Sequence, residues 1–254
     1  MKRFDLSGRT ALVTGSSRGI GTALAQALLE SGSRVVIHGR ERKRAEATAA
    51  ALSQTVGGIT LASAFNIADP DEVSNGIDEI ERAWGPLDIL VNNAGIQRRA
   101  PFLEFSPGDW DEIIATNLTG AFLVGQRVAR GMVKRQAGKI INVGSVQSRL
   151  ARPGIAPYGA AKGGIVMLTR GMCADLAPYG IQVNALAPGY FATDLTASLV
   201  ADPDFTAWVS TRTPAGRWGR TEDLMGPLVF LASPASDFVN GQVLYVDGGM
   251  TAVV

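Results

Sequence analysis

The sequence predicts a single α/β domain, built on a doubly wound sheet of about seven parallel strands with helices on both faces. Short apolar runs alternate with longer segments of helical period, and 46% of the 254 residues are apolar. Strands that are apolar throughout are typical of parallel sheets covered on both faces. Because no repeat or linker divides the chain, we treat residues 1–254 as one domain.

Each predicted element follows from its local pattern. The strand candidates are TALVT, RVVIH, ITLASA, LDILVNN, GKIINVG, IQVNALAP and VLYVDGG, in chain order. Helices are predicted between the first four strands, at GIGTALAQALLESG, ERKRAEATAAALSQ and PDEVSNGIDEIERAWG. The first ends at a glycine stop, the second is rich in helix formers, and the third begins at an Asp-Pro pair.

Composition excludes several classes of function. Cys173 and His38 are the only residues of their kinds, so we expect neither a disulfide framework nor a metal site made from the usual ligands. The formal net charge of +1 gives no argument for nucleic acid or an anionic membrane. No apolar run reaches the roughly 18 residues of a membrane span, and the start MKRFDLSGRTALV lacks a signal-peptide pattern. We expect a cytoplasmic protein with a small-molecule partner.

A glycine-rich segment, TGSSRGIG, follows the first predicted strand and leads into a helix. Its glycines permit a tight turn and a close backbone approach, and the helix N-terminus offers N–H groups to a pyrophosphate. We predict a dinucleotide site here, although an ordinary βα loop has a similar composition. The predicted binding residues are Gly15, Ser17, Arg18, Gly19, Ile20 and Gly21.

Two arginines bear on the choice of cofactor. The second predicted strand ends in HGRER, without the carboxylate that would bind the ribose hydroxyls of NAD. Arg40 follows this strand, and Arg18 can converge on the same point, where two guanidiniums suit the 2′-phosphate of NADP. We predict NADP, with NAD possible. The alternative is that Arg40 merely begins a solvated helix with Arg42, Lys43 and Arg44.

Ser145, Tyr158 and Lys162 bring together a hydroxyl, a phenol and an amine. Tyr158 and Lys162 lie at positions i and i+4, on one helix face, and Ser145 follows the strand GKIINVG at the edge where such sheets bind ligands. We expect Lys162 and the oxidised nicotinamide together to lower the pKa of the phenol, so that Tyr158 exchanges the substrate proton while Ser145 holds the substrate oxygen. Taken singly, each residue also fits an ordinary structural role.

The combination resembles the short-chain dehydrogenase/reductase family, from about residue 8 to the C-terminus. The resemblance rests on the Gly-x-x-x-Gly-x-Gly spacing, Ser with Tyr-x-x-x-Lys, NNAG, TNLTG and PGYFAT. It implies hydride transfer between a nicotinamide and a secondary alcohol or ketone, with Asn117 completing a proton relay. Asn66 and Ile67 stand where the family usually has Asp-Val. The further cofactor residues that it implies are Asn66, Ile67, Asn93, Ala94, Gly95, Tyr158, Lys162, Pro188, Gly189 and Thr193.

Three segments, NNAGIQRRAPFLEF, SVQSRLARPGIAPY and LAPGYFATDLTASLVADPDFTAWVSTRTPAGRWG, resemble the gluconate 5-dehydrogenase branch of the family. This implies a sugar acid, which needs donors for its hydroxyls and a cation for its carboxylate. The candidates are Gln97, Gln147, Arg149, Arg152 and Tyr190, although each arginine also suits a plain surface position. We predict that residues from about 190 to 215 form a lid over the substrate.

Two other functions fit part of the pattern. A 3-oxoacyl-(acyl-carrier-protein) reductase would share the core motifs and would need a basic docking surface, for which the candidates are Arg127, Arg130, Lys134 and Arg135. A non-catalytic NADP-binding regulator would need the cofactor site but no proton relay.

Surplus apolar surface predicts a homo-oligomer, most simply the homotetramer that the family resemblance implies. The helices DWDEIIATNLTGAFLVGQRVARGMV and PYGAAKGGIVMLTRGMCADLAP carry more small and apolar residues than one buried face needs. The apolar end VLYVDGGMTAVV also needs cover.

Overall fold

The computed structural model describes residues 2–193 and 196–254, and this part of the chain forms a seven-stranded sheet. The strands are β1 (Thr10–Val13), β2 (Arg34–Gly39), β3 (Thr60–Ala64), β4 (Ile89–Asn92), β5 (Gly138–Val143), β6 (Ile181–Pro188) and β7 (Val243–Val246). Their order across the sheet is β3-β2-β1-β4-β5-β6-β7, and all neighbours run parallel. The predicted doubly wound fold is confirmed.

Helices connect the strands and cover both faces of the sheet. They are α1 (Gly19–Glu30), α2 (Arg42–Val56), α3 (Pro70–Trp84), α4 (Pro107–Ile114), α5 (Gly120–Arg135), α6 (Ala156–Leu176), α7 (Ala197–Val200), α8 (Pro203–Arg212) and α9 (Met225–Ala232). Helices α7 and α8 fall within the predicted lid, of which residues 194 and 195 lie outside the described residues. Among the helices described, none combines the length and apolarity needed to cross a bilayer.

The core has two layers because successive residues of each strand face opposite sides of the sheet. Val13 and Ile37 belong to a buried cluster that also contains apolar residues of α1 and α9. Leu12 and Val36, their neighbours in sequence, belong to a second cluster with residues of α3 and α5. The continuous apolar strands of the sequence are therefore explained by burial on both faces.

The predicted Asp-Pro start of α3 is confirmed in detail. The Asp69 side chain accepts hydrogen bonds from the backbone N–H groups of Asp71 and Glu72, both at 2.9 Å, and Pro70 occupies the first turn. The carboxylate thereby satisfies two N–H groups that have no partner within the helix.

The long helix predicted from Asp109 onward is not continuous. A π-helical turn, Ala115–Thr119, separates α4 from α5, and it carries Asn117. A widened turn of this kind does not change the spacing of apolar residues enough to be visible in the sequence, and such turns occur frequently at functional sites.

A substitution at Gly21 tests how tightly α1 packs on the glycine-rich turn that precedes it. A Cβ at this position would overlap the Gly15 carbonyl oxygen and lie 2.8 Å from Ser16 Cα. We expect Gly21→Ala to lower the free energy of unfolding by about 1–3 kcal/mol, because backbone would have to move. The control is Gly226→Ala in α9, where a Cβ meets nothing within 4 Å and a gain of about 0.4–1 kcal/mol is expected. Urea unfolding at equal protein concentration measures both, and equal changes would contradict the packing argument.

Candidate active site

A cleft of about 520 Å³ opens at the carboxyl edge of the sheet. The strand order reverses direction between β1 and β4, and doubly wound sheets bind ligands at such a point. Every residue predicted to bind the cofactor lines this cleft, namely Gly15, Ser17, Arg18, Gly19, Ile20, Gly21, Arg40, Asn66, Ile67, Asn93, Ala94, Gly95, Tyr158, Lys162, Pro188, Gly189 and Thr193.

The glycine-rich turn has the backbone that a dinucleotide requires. Gly15 and Gly19 have φ of 64° and 58°, a region that favours glycine. A Cβ on Gly15 would lie 2.8 Å from Ala94 Cα, so the turn after β1 touches the segment after β4. Helix α1 begins at Gly19, and Arg18 before it makes no side-chain cap. The N-terminal N–H groups of α1 therefore fit a pyrophosphate.

Asn93, which follows β4, supports the glycine-rich turn through its side chain. Its side-chain Nδ2 donates to the carbonyl oxygens of Thr14 and Gly15, at 2.9 and 3.1 Å. The NNAG segment thus holds the glycine-rich turn in place, in addition to lining the cleft.

Arg18 and Arg40 both line the cleft, and Arg40 directly follows β2. Both side chains are exposed, and within residues 2–193 and 196–254 neither forms a salt bridge. Arg42, by contrast, lies outside the cleft and 3.9 Å from Glu79. The structure therefore separates Arg40, with its guanidinium at the cleft, from Arg42, which belongs to the solvated helix.

Ser145 is held by a short helical turn, Val146–Ser148, that follows β5. Its Oγ accepts a hydrogen bond from the N–H of Gln147 at 3.1 Å, and its own N–H donates to Ser148 Oγ at 3.2 Å. Ser148 Oγ in turn donates to the Lys162 carbonyl at 2.8 Å. This chain of hydrogen bonds fixes the loop bearing Ser145 against the helix bearing the other two catalytic candidates.

Lys162 is a buried cation on α6, with a relative exposure of 5%. Its Nζ donates to the Val143 carbonyl at 2.6 Å and lies 5.7 Å from the centroid of the Tyr158 ring. Burial lowers the pKa of Lys162 to about 8, since desolvation disfavours the charged form. The predicted sharing of one helix face by Tyr158 and Lys162 is thus confirmed.

The part of that expectation that concerns Lys162 alone is corrected by the structure, because the residues of this chain by themselves do not lower the pKa of Tyr158. Burial raises the pKa of the phenol, the nearby Ser145 hydroxyl opposes this shift, and Tyr190 reinforces it. The physical reason is that desolvation outweighs the other influences, with the Lys162 ammonium held on a backbone carbonyl. Tyr158 is therefore a neutral phenol at neutral pH, the form that can donate a proton to a ketone.

Two predicted site residues do not reach the cleft. Asn117, in the π-helical turn, is 2% exposed, and its side chain exchanges hydrogen bonds with the backbone N–H and carbonyl of Ile96, at 2.7 and 2.8 Å. Arg149 is exposed and does not line the cleft. Asn117 therefore holds the segment after β4, and Arg152 is the arginine of this loop that lines the cleft.

The remaining substrate candidates line the cleft beyond Ser145 and Tyr158; they are Gln97, Gln147, Arg152 and Tyr190. Arg152 donates to the Tyr190 hydroxyl at 3.4 Å, and its guanidinium lies 5.0 Å from the centroid of the Phe205 ring in α8. The buried Oε1 of Gln147 has no hydrogen-bond partner among the described residues. This end of the cleft thus offers a cation, a phenol and an amide acceptor.

Sequence reasoning missed several residues of the cleft, among them Arg99, Thr196, Leu199 and His38. Arg99 lies two residues after Gln97 in the QRR segment, and that proximity is a usable signal. Thr196 and Leu199 come from the predicted lid, where no motif marks individual positions. For His38, a usable signal is its place near the end of an apolar strand, where a polar side chain is out of pattern.

A nucleotide-binding turn and a Ser-Tyr-Lys group facing the same cleft define a nicotinamide-dependent oxidoreductase. Residues 15–251 match the family described as enoyl-(acyl carrier protein) reductase. A gluconate 5-dehydrogenase from Gluconobacter oxydans (strain 621H) is 55% identical over 248 residues, which cover 98% of this chain and 96% of the relative. The chain belongs to the short-chain dehydrogenase/reductase family and is an NAD(P)-dependent enzyme.

Solved structures agree with this assignment. The crystal structure of a gluconate 5-dehydrogenase from Burkholderia cenocepacia J2315, in complex with NADP and tartrate, is 55% identical in sequence. It aligns with a TM-score of 0.97 over 99% of this chain and 98% of that chain. A 3-oxoacyl-(acyl-carrier-protein) reductase from Vibrio harveyi has a lower identity of 40%, over 98% of this chain and the whole of the relative.

Replacing Tyr158 by Phe separates proton transfer from cofactor binding. We expect Tyr158→Phe to lower the rate of ketone reduction by about 100-fold or more, since the neutral phenol is the proton donor. NADPH binding, measured by calorimetry, should stay within about threefold of wild type, because the ring and its packing remain. The contrasting variant is Lys162→Ala, which we expect to impair both. Turnover by Tyr158→Phe within tenfold of wild type would exclude Tyr158 as the donor.

Proposed function

We propose that the enzyme interconverts D-gluconate and 5-keto-D-gluconate, with NADP as its cofactor. The observation that carries this proposal is the position of Arg152, a cation that lines the same cleft as Ser145 and Tyr158. A sugar acid needs such a cation at a distance from its reacting carbon, whereas a simple alcohol does not. The high identity to the gluconate 5-dehydrogenase from Gluconobacter oxydans supports the same substrate.

In this proposal, a six-carbon acid lies along the cleft. The hydroxyls of Ser145 and Tyr158 would hold the oxygen on C5, and the Arg152 guanidinium would meet the carboxylate at the far end. Between them, Gln97 and the partnerless buried Oε1 of Gln147 would hydrogen-bond the intervening hydroxyls. An acceptor buried without a partner is costly, so a substrate hydroxyl that donates to Gln147 gains affinity and specificity.

When bound in this cleft, NADP would supply the hydride for C5 of the substrate in reduction and would accept it in oxidation. The residues of this chain position the substrate and transfer the proton. In reduction, the neutral phenol of Tyr158 donates its proton to the oxygen on C5, and Ser145 keeps that oxygen within reach. In oxidation the phenol must first lose its proton. Because burial raises the pKa of Tyr158, oxidation should gain more than reduction from alkaline conditions.

The preference for NADP over NAD rests on the two arginines beside β2. Arg18 and Arg40 line the cleft where the adenosine ribose would lie, and charge-assisted hydrogen bonds to a 2′-phosphate are the strong kind. No carboxylate takes the place of the ribose-binding acid at the end of β2, where Gly39 and Arg40 stand.

A 3-oxoacyl-(acyl-carrier-protein) reductase is the second candidate. The basic docking surface that it would need on α5 is partly occupied by contacts within the chain. Arg127 is bound to both Asp78 and Glu81, and Arg135 donates to the Leu87 carbonyl at 2.6 Å. Two of the four predicted docking cations are therefore used within the chain. A non-catalytic regulator, the third candidate, gives no reason for Ser145, Tyr158 and Lys162 to meet in the cleft.

Assembly into a homotetramer in the cytoplasm belongs to the same proposal. Large apolar side chains are exposed on the two long helices named in the sequence, as at Phe122 and Met167, which are 43% and 61% exposed. Phe102, Leu103 and Phe238 are more exposed still. Surfaces of this kind are commonly covered by further copies of the same chain.

We also propose that residues 1–254 act as one domain and that residues from about 190 to 215 close over the substrate.

A substrate screen tests the proposed reaction directly. NADPH oxidation is followed with 5-ketogluconate, with other keto sugars and with an acetoacetyl thioester. The proposal expects 5-ketogluconate to have the highest kcat/KM. Preference for the thioester would establish the second candidate instead, and no activity with any ketone would favour a regulator.

Removing the cation at Arg152 should affect charged substrates selectively. We expect Arg152→Met, which keeps an apolar stem against Phe205, to raise KM for 5-ketogluconate about tenfold or more and to spare a neutral ketose. The matched control is Arg149→Met, which lies outside the cleft and should leave both KM values unchanged. Equal losses with charged and neutral substrates would mean that Arg152 supports the lid and does not bind the carboxylate.

Arg40 and Arg42 form a matched pair for testing cofactor choice. We expect Arg40→Ala to weaken NADPH binding by about 1.5–3 kcal/mol, because one charge-assisted contact is lost, and to leave NADH binding unchanged. Arg42→Ala removes a guanidinium from the same stretch of chain but outside the cleft, so neither affinity should change. Titration calorimetry with both cofactors gives the ratio. An unchanged ratio in Arg40→Ala would assign the phosphate contact to Arg18.

A further inference from the structure

His38 is a buried residue at the end of β2, with a relative exposure of 2%. It is the single histidine of the chain and lines the cofactor cleft beside the glycine-rich turn. Neither metal binding nor the Ser-Tyr-Lys chemistry uses it. Its side chain nevertheless makes two polar contacts, one to each of two neighbouring walls of the cleft.

The first contact is to the glycine-rich turn. The Gly15 N–H donates to His38 Nδ1 at 3.2 Å. Two backbone contacts accompany it, since the Ser16 N–H donates to the His38 carbonyl at 2.9 Å and the His38 N–H donates to Ser16 Oγ at 2.9 Å. The backbone contacts do not depend on the side chain at position 38, whereas the acceptor for Gly15 does.

The second contact is to the segment that follows β3. His38 Nε2 lies 3.1 Å from the Phe65 carbonyl, and the centroids of the two rings are 4.2 Å apart. Phe65 directly precedes Asn66 and Ile67, which line the cleft. The Phe65 ring packs directly on Gly76 of α3, where a Cβ would overlap it. The imidazole therefore packs against a ring that itself contacts α3.

The two contacts determine the tautomer of the ring. Nδ1 must be the acceptor because the Gly15 N–H can only donate, so the proton is on Nε2 and is donated to the Phe65 carbonyl. Burial lowers the pKa of His38 to about 4, and the ring is neutral at neutral pH. A cationic ring would present a second N–H to the Gly15 N–H and lose this contact.

We propose that His38 is a positioning residue for the adenosine half of the cofactor, setting the glycine-rich turn at a fixed distance from the Phe65 to Ile67 wall. Asn93 holds the turn from the opposite side through its bonds to Thr14 and Gly15. With both sides held, the turn is ready for the cofactor before it arrives. Preorganisation of this kind raises affinity by reducing the ordering cost of binding.

Two amide substitutions test which ring nitrogen matters. Asn carries an acceptor near the position of Nδ1, and Gln carries a donor near the position of Nε2. His38→Asn therefore keeps an acceptor for Gly15, while His38→Gln keeps only the contact to Phe65. We expect His38→Gln to raise the Kd of NADPH about tenfold or more and His38→Asn to stay within about threefold, because an unpartnered Gly15 N–H destabilises the turn.

Calorimetric titration with NADPH alone measures this, so the result is independent of which ketone the enzyme reduces. A His38→Gln Kd within threefold of wild type would overturn the proposal. Equal weakening in both variants would also overturn it, since the acceptor at Nδ1 would then not be the group that matters.

Nitrogen-15 NMR of the wild-type protein supplies a test that needs no variant. Because the chain has one histidine, its ring-nitrogen signals can be assigned to His38 without ambiguity. At neutral pH the proton should be found on Nε2. The Gly15 amide should exchange slowly with solvent, as expected for an N–H with a buried acceptor. A proton on Nδ1, or rapid exchange of the Gly15 amide, would overturn the proposal even if a variant failed to fold.

Discussion

The close approach of the Gly15 backbone to Ala94 is the constraint on which the cleft depends. Strands β1 and β4 are neighbours although two strands separate them in sequence, and the segments that leave them must pass within van der Waals contact. Thr14 Oγ1 accepts hydrogen bonds from the N–H groups of Asn93 and Ala94, at 3.0 and 3.1 Å. Because no side chain fits at position 15, the floor of the cleft is backbone, and its N–H groups and the start of α1 meet the cofactor.

A second constraint is the removal of water from a buried amine, Lys162, and from the half-buried phenol of Tyr158 on the same helix. Desolvation moves the pKa of Lys162 downward and that of Tyr158 upward, since it disfavours the charged form of each. The Lys162 ammonium is tolerated because the Val143 carbonyl accepts its hydrogen bond at 2.6 Å. The resting site is thus a neutral acid, which suits reduction of a ketone.

An aromatic cluster links the catalytic loop to the segment predicted as a lid. The rings of Tyr190, Phe205, Trp208 and Trp218 have centroids 5.4–6.1 Å apart, and the Trp218 indole N–H donates to Thr206 at 3.2 Å. Arg152 joins this cluster through Tyr190 and Phe205. Arg152 lines the cleft and also contacts a ring of α8. One guanidinium therefore joins the wall of the cleft to this helix.

The strands, the nucleotide-binding turn and the order of Ser145, Tyr158 and Lys162 could be predicted from the sequence. These features depend on local spacing, which sets periodicity, glycine conformations and the i, i+4 face of a helix. Three other features came from the packed fold: Arg152 lines the cleft and Arg149 does not, Asn117 bonds Ile96, and the pKa of Tyr158 rises. Each of these outcomes depends on which distant segments pack against a side chain and remove water from it, and that information is not present in local spacing.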